Sequence, residues 1–353
     1  MRHHRLAALV SCLALAATAC LHRPTANPNI IVGSLTTGPN NLDPRVGTDD
    51  SSQKIHALVF DNFMELDEHL KVVPKLAERL EHPDPLTFIA ALRRGVRFHD
   101  GRELTADDVV FTFRCMIDPQ FISPKKGGYR ELESVTALDR YTVEFRLNRP
   151  FESFPINLIL PIVPNGSGAS VREHPIGTGP YRFVRYDVDD RVELSAFEDY
   201  FDGRPKNDGL ILRVVPDEVM RGLELRKGTM DLVINDVSPD IAFQLKNEPR
   251  LQLVEGPGVD YQYVGLNARD AILQDVLVRR ALAYAIDRRA IVDSLRRGLA
   301  TPAATMLPPM SWAVASDVLS YEHDPAKARA LLDEAGHRDP DGNGPASRFA
   351  LTL

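Results

Sequence analysis

LRRGVRFHDGRELTADDVVFTF, residues 92–113, packs the end of a strand, a tight turn and a capped helix into one run. Phe88, Ala90 and Leu92 alternate with Ile89, Ala91 and Arg93, and Val96 and Phe98 alternate with Arg97 and His99. A two-residue apolar period marks a half-buried strand, because successive side chains leave opposite faces of the pleat. Asp100-Gly101 then predicts a turn, since glycine tolerates positive φ and aspartate bonds to its own backbone. Thr105 stands at a helix N-cap with Asp108 three residues on, a pair able to satisfy two free amide donors. Behind that cap Val109, Val110, Phe113, Met116 and Ile117 recur at helical spacing and give one apolar face. Periodicity alone predicts a β-α unit of an α/β protein.

The wording of residues 95–113, GVRFHDGRELTADDVVFTF, adds more: it resembles the signature of the family 5 extracellular solute-binding proteins, the dipeptide, oligopeptide and nickel receptors of ABC importers. Other stretches are similar to that family in the same order. They are VVPKLAERLE (72–81), GTGPYRF (177–183), AFEDYFDGRPKNDGLILRVVPD (196–217), LRKGTMDLVI (225–234), YVGLNARD (263–270), VRRALAYAIDRRAI (278–291) and HDPAKARALLDEAG (323–336). Phe201 stands where the family more often has Trp.

The first residues read as a secretory signal over 1–19. Arg2 and Arg5 form a basic start, and Leu6 to Ala17 is apolar but too short to span a bilayer. Ala17-Thr18-Ala19-Cys20 resembles a bacterial lipoprotein cleavage site, although Ala17 stands where such sites more often carry Leu. The expectation is therefore lipidation of Cys20, a polar tether over 20–29, and anchorage at a bacterial membrane facing the periplasm or cell exterior. Cys12 leaves with the signal and Cys20 is acylated, so Cys115 remains as a small core residue and no internal disulfide forms. The formal charge of −7 includes Arg2 and Arg5. An acidic chain with scattered Lys and Arg has no footprint for nucleic acid. Lys125-Lys126, Arg288-Arg289 and Arg296-Arg297 read as solvated faces.

Along the chain, Ile30 to Leu35 predicts a first strand, TTGPNNLDP a loop, and Ser51 to Phe60 a helix with Ile55, Leu58 and Val59 inward. Glu131 to Leu147 predicts strands. Four prolines between 150 and 164 forbid one regular helix there, and NGSGAS (165–170) reads as the most linker-like stretch. Strands follow at Tyr181–Tyr186, Val192–Ala196, Ile211–Val215 and Leu232–Ile234. Asp217 caps a helix that ends near Gly228, and Ser238-Pro239 opens another. Helices are expected over 275–286, 288–297 and 325–335, closed by Gly298 and Gly336.

The resemblance implies an α/β fold of the type II periplasmic-binding-protein kind, with two lobes and an inserted extra domain. Residues 27–52 with 176–258 would form the discontinuous lobe I, 53–175 the inserted domain II, and 259–353 the start of domain III. Family members continue beyond the point that Leu353 matches, and FALTL looks like the start of a strand. The last domain is therefore expected to be truncated and poorly covered.

Chemistry-bearing motifs are sparse. Ser51-Ser52-Gln53-Lys54 matches S-x-x-K, in which a Lys activates a Ser, but neither SDN nor KTG occurs, and a helix opening on a Ser cap is the simpler account. No P-loop, G-x-S-x-G or G-x-G-x-x-G is present. Asp339-Pro340-Asp341-Gly342-Asn343-Gly344 matches half a calcium loop, but position twelve is Ala350 where a bidentate Glu is needed, so a polar turn is expected. Outside the signal no two His residues lie at i, i+3 or i, i+4, and no metal site or cofactor is expected.

Binding is the function left. The resemblance points to the loop Thr36–Leu42 with Asn40 and Asn41, the crossing at Gly177-Thr178-Gly179 with Thr178, and a strand from Tyr261 to Asn267 presenting Tyr263 and Asn267. It implies a monomeric, non-catalytic receptor that captures a peptide or other small solute and delivers it to an ABC permease. A nickel or other metal-chelate receptor on the same fold is the alternative, and a Ser-dependent enzyme the third reading.

Overall fold

The computed structural model describes residues 27–342 and 344–351, so the signal and Cys20 lie outside the described residues. The chain divides into two units. One runs to Leu66 and resumes as Val72–Val237; the other comprises Asp67–Lys71 and everything from Ser238 onward.

The first unit holds two four-stranded sheets, each with its own core. One sheet has the order β1-β10-β9-β8, from β1 (Ile30–Leu35), β8 (Tyr181–Asp187), β9 (Arg191–Ala196) and β10 (Gly209–Val214). β1 runs parallel to β10, from Ile30 opposite Gly209 to Leu35 opposite Val214, and the other pairs are antiparallel. Its core joins Leu35, Val192, Leu194 and Leu210 to Ile55, Val59 and Phe60, so helix α1 (Asp50–Val59) packs here, with Leu58 only partly buried.

The second sheet has the order β4-β5-β7-β6, all antiparallel: β4 (Ala77–Asp84), β5 (Thr87–Leu92), β6 (Leu132–Asp139) and β7 (Thr142–Leu147). A small hairpin of β2 (Met64–Leu66) and β3 (Val72–Pro74) precedes it. Helix α2 (Ala106–Ile117) lays Val109, Val110, Phe113 and Met116 into this core, as its spacing predicts. Phe63, Phe113 and Phe145 meet there at centroid distances of 5.0–5.8 Å. Rings of this size in tilted and edge-on contact dominate the energy of a core.

The signature keeps its expected shape with one change. Phe88, Ala90 and Leu92 face inward along β5, and Asp108 accepts the Thr105 N–H at 2.8 Å. Val96 and Phe98 are buried, but they belong to a tight hairpin closed by Phe98 N–H to Arg102 O and Leu104 N–H to Val96 O, both 2.8 Å. Gly101 sits at φ +88° in its turn. NGSGAS is no free linker: Gly168 O accepts from Arg45 at 3.1 Å and neighbouring Val171 is buried. Arg45 itself is 1 % exposed, forked on Asp43 at 2.7 and 2.9 Å and flanked by the rings of Phe111 and Phe121. The Cys115 sulfur lies 3.3 Å from Arg45 Nη1, and burial raises the thiol pKa; Cys115 is half-buried packing rather than a reactive group.

The strand expected at Leu232–Ile234 is reduced to one bridge, Gly33 to Leu232. The Asp231 carboxylate takes the Val32 N–H at 2.8 Å, which ends the ladder where it starts. Helix α3 (Glu218–Lys227) precedes it, capped by Asp217 and stopped by Gly228 at φ +67°.

The second unit contains α4 (Pro239–Leu245), α5 (Val276–Ala285) and α6 (Pro325–Glu334), capped by Ser238, Asp275 and Asp324. α5 and α6 pack against each other through Val278, Ala281 and Ala328. The helix expected over 288–297 is only Arg288–Ala290 running into a π turn, Ile291–Leu295; Arg296 N–H reaches Ile291 O, and Arg297 then turns to φ +52°. Among the described residues of this unit there is no strand, and Tyr261–Asn267 is irregular backbone. No helix among the described residues is long and apolar enough to cross a membrane.

Candidate functional site

The carboxyl ends of parallel strands are where α/β sheets place ligands, and the first candidate loop leaves the carboxyl end of β1. Its shape is set by the first turn of α1. Asp49 caps that turn, its carboxylate accepting Ser52 N–H at 2.9 Å and Asn40 N–H at 3.4 Å. These bonds outweigh the desolvation that opposes them and hold the Asp49 pKa below the usual range. Ser52 Oγ accepts Asn41 N–H and donates to Asn40 Oδ1, both at 3.2 Å. Asn41 Oδ1 receives Asp43 N–H at 2.9 Å, and Asn41 O receives His56 Nε2–H at 3.0 Å. Asn40 is exposed and Asn41 half-buried, and the Nδ2 of each has no protein partner among the described residues. The loop thus holds two amide donors on a fixed frame.

Beside it, Ser51 Oγ lies 3.3 Å from Thr37 Oγ1. Lys54 pairs with Asp236 at 2.7 Å and Asp50 at 2.8 Å. Burial works against the ammonium, but the two carboxylates outweigh it and raise its pKa. A lysine held as a cation cannot take a proton from serine, so the S-x-x-K spacing carries no nucleophile here.

Thr178 occupies a different environment from the one expected. It is 0 % exposed, and its hydroxyl donates to Asp61 Oδ2 at 2.8 Å, while Tyr200 OH donates to Asp61 Oδ1 at 2.9 Å. Burial raises the Asp61 pKa against the opposing pull of those two donors and Lys75. On either side, Gly179 N–H bonds Val59 O at 3.0 Å, and His99 N–H bonds Gly177 O at 2.9 Å. A Cβ at Gly177 would stand 2.0 Å from Val59 O, and one at Gly179 would stand 2.6 Å from Val59 C, so both positions admit only glycine. The geometry makes Thr178 part of a buried joint, with no surface for a ligand.

In the second unit Tyr263 is 74 % exposed and stacks on Tyr261 at 5.6 Å and 14°. Asn267 is also exposed, but its Oδ1 accepts Arg269 N–H at 3.1 Å and its carbonyl accepts Asp270 N–H at 3.0 Å, so it ends the segment in a turn. The strand expected from Tyr261 to Asn267 is absent because no described segment pairs with it. The half calcium loop is a polar turn: Asp339 accepts from the backbone of Asp341 and Gly342, and Asp341 from Ala346. Among the described residues no group of three or more His, Cys, Asp or Glu is placed to hold a metal.

Comparison with known proteins settles the family. The model of the bacterial extracellular solute-binding proteins, family 5 (middle region), matches residues 71–352. The chain belongs to this family. Within family 5 it is 34 % identical over 301 residues to heme-binding protein A of Haemophilus influenzae. It is 30 % identical over 351 residues to the oligopeptide-binding protein AppA of Bacillus subtilis. These matches cover 77 % and 94 % of the chain but only 54 % and 64 % of the relatives. Among solved structures, AppA of Bacillus subtilis in complex with a nonapeptide is similar with TM-score 0.72 and 30 % identity, covering 89 % of this chain and 65 % of that one. NikZ of Campylobacter jejuni in complex with Ni(L-His) is similar with TM-score 0.74 and 28 % identity, covering 88 % and 64 %. The type II periplasmic-binding fold expected from the sequence is the fold of these family 5 neighbours.

Sequence reasoning missed the partners in the joint. Asp61 and Tyr200 lie 117 and 139 residues apart from the groups they bind, and no local pattern links them.

Proposed function

We propose that the chain is the solute-binding part of an ABC importer, non-catalytic and monomeric, with peptides as its solutes and a permease as its partner. The observation that carries this reading is the likeness, over 89 % of the chain, to AppA holding a nonapeptide. Peptide recognition needs amide donors and apolar surface at fixed positions. In this reading Asn40 and Asn41 supply donors from their Nδ2 groups, Tyr263 supplies an aromatic face, and Asn267 holds the turn that follows it. Residues 53–175 form the domain II inserted in sequence between the two stretches of the first lobe, although Ile55, Val59, Phe60, Val163 and Val171 pack into that lobe's core, and the third domain begins near 259. A lipid on Cys20 fixes the protein to a bacterial membrane from the outside; labelling with a fatty-acid analogue should mark the wild type and not Cys20→Ser, and equal labelling would remove the anchor.

The likeness to NikZ in complex with Ni(L-His) supports a second reading, a metal-chelate receptor. Titration calorimetry of the protein separates the two. Saturable heat from a mixture of di- to pentapeptides, reduced by Asn40→Ala with Asn41→Ala, supports the peptide reading. Heat from nickel with excess histidine and none from peptides would replace it with the chelate reading.

A further inference from the structure

His99 is the signature residue with the least local reason to be a histidine. It closes the hairpin of residues 96–104, whose Val96, Phe98 and Leu104 belong to the core of the β4-β5-β7-β6 sheet. Its ring, however, is spent on residues just before β8, where the chain returns to the other sheet. Gly179 O lies 2.9 Å from Nε2, and Gly177 N–H points at Nδ1 at 3.4 Å. A carbonyl can only accept and an amide N–H can only donate. The ring is therefore neutral, with its proton on Nε2 and a lone pair on Nδ1. Phe197 closes one side edge-on at 5.0 Å.

We propose that His99 is an acid-released latch that fastens the inserted domain to the Gly177-Thr178-Gly179 return. Protonation places a second N–H on the ring, facing the Gly177 N–H it had accepted; that bond is lost and the charge sits in a largely buried site. The charged groups facing the ring are Arg182 from β8, which opposes protonation, and Asp100 from its own turn, which favours it. Burial is the larger influence and takes the His99 pKa to about 4 from 6.5. The unfolded chain then binds the proton first, so the latch contributes its full stability above pH 6.5 and loses it as the pH falls towards 4.

Two neighbours must be separated from it. Asp61, facing Lys75, Glu65, Thr178 and Tyr200, has a raised pKa, so its protonation favours the folded state at acid pH and opposes the effect. His56, buried against Asn41 O and facing Lys125, Asp43 and Asp49, is also taken to about 4 but bonds a different loop.

The test follows amide exchange at Gly177 and Gly179 against pH in the whole chain, corrected for intrinsic rates. In the wild type and in His56→Gln, protection at these two amides should fall below pH 6 with a slope approaching about tenfold per pH unit. His99→Gln, whose amide can still donate to Gly179 O but does not titrate, should flatten that slope. The His99 ring resonances in the wild type give a reading independent of any variant's folding. Titration near the ordinary 6.5, or an unchanged slope in a folded His99→Gln, would overturn the latch.

Discussion

Residues 27–237 and residues 238–351 carry similar local signals, and they convert them differently. In the first stretch the expected strands find partners: β5 lies between β4 and β7, and β10 between β1 and β9. Phe63, Phe98, Phe113, Phe145 and Phe154 are wholly buried there. In the second stretch the buried apolar residues are Ala242, Leu245, Leu273, Val278, Ala281 and Ala328, while Val259, Tyr263, Val264, Leu295, Met306, Trp312 and Leu319 are each more than half exposed. Helices survive in both. A capped helix satisfies its own backbone within one segment, as Asp275 and Asp324 do for α5 and α6. A strand must borrow a neighbour's hydrogen bonds, and 252–266 has none to borrow among the described residues. The difference is one of partners, not of sequence quality.

The comparison can be broken in several places. Brief chymotrypsin treatment should cut at Tyr261, Tyr263, Leu295, Trp312 and Leu319 at least about a hundredfold faster than anywhere in 72–237, because local opening costs least where few apolar contacts close. Mapping the fragments checks this; equal rates would erase the contrast. Phe113→Ala should destabilise the first stretch by about 3–5 kcal/mol, the usual cost of emptying an aromatic site in a packed core, measured by urea unfolding. Gly179→Ala should cost about 1–3 kcal/mol, since its methyl would press on the Val59 backbone, which has no room to move aside. Val278→Ala, in the thin α5–α6 contact, should cost less than Phe113→Ala, about 1.6 kcal/mol for the transfer of two methylenes plus whatever cavity the buried site keeps. A larger loss at Val278 than at Phe113 would reverse the argument.

Legibility in the sequence followed the same division. The caps at Thr105, Asp217 and Ser238 and the stops at Gly228 and Gly336 are one- to four-residue codes, and each stands where it was expected, whereas Gly298 follows a π turn instead of closing a regular helix. β5, β7 and β9 were readable because alternation and burial agree. The strand expected at Tyr261–Asn267 came from the resemblance and not from alternation, which YQYVGLN lacks, and likeness of wording reports a strand's fitness for a sheet and not the presence of one. The shortening at Leu232 came from Asp231 capturing Val32 N–H, a contact across 199 residues. The candidate site divides in the same way. Asn40 and Asn41 lie on a loop that local Asx bonds and the α1 cap define, whereas Thr178 was a polar residue in a glycine-flanked turn whose burial depends on Asp61 and Tyr200.

Hydrogen exchange resolved by segment tests the contrast most directly. Amides of β5, β7, β9 and β10 should exchange only through global opening, while those of 252–266 should exchange at close to the rate of an unstructured peptide under the same conditions. Protection across Tyr261–Asn267 comparable to that of β5 would show that this segment is paired after all, and would contradict the account.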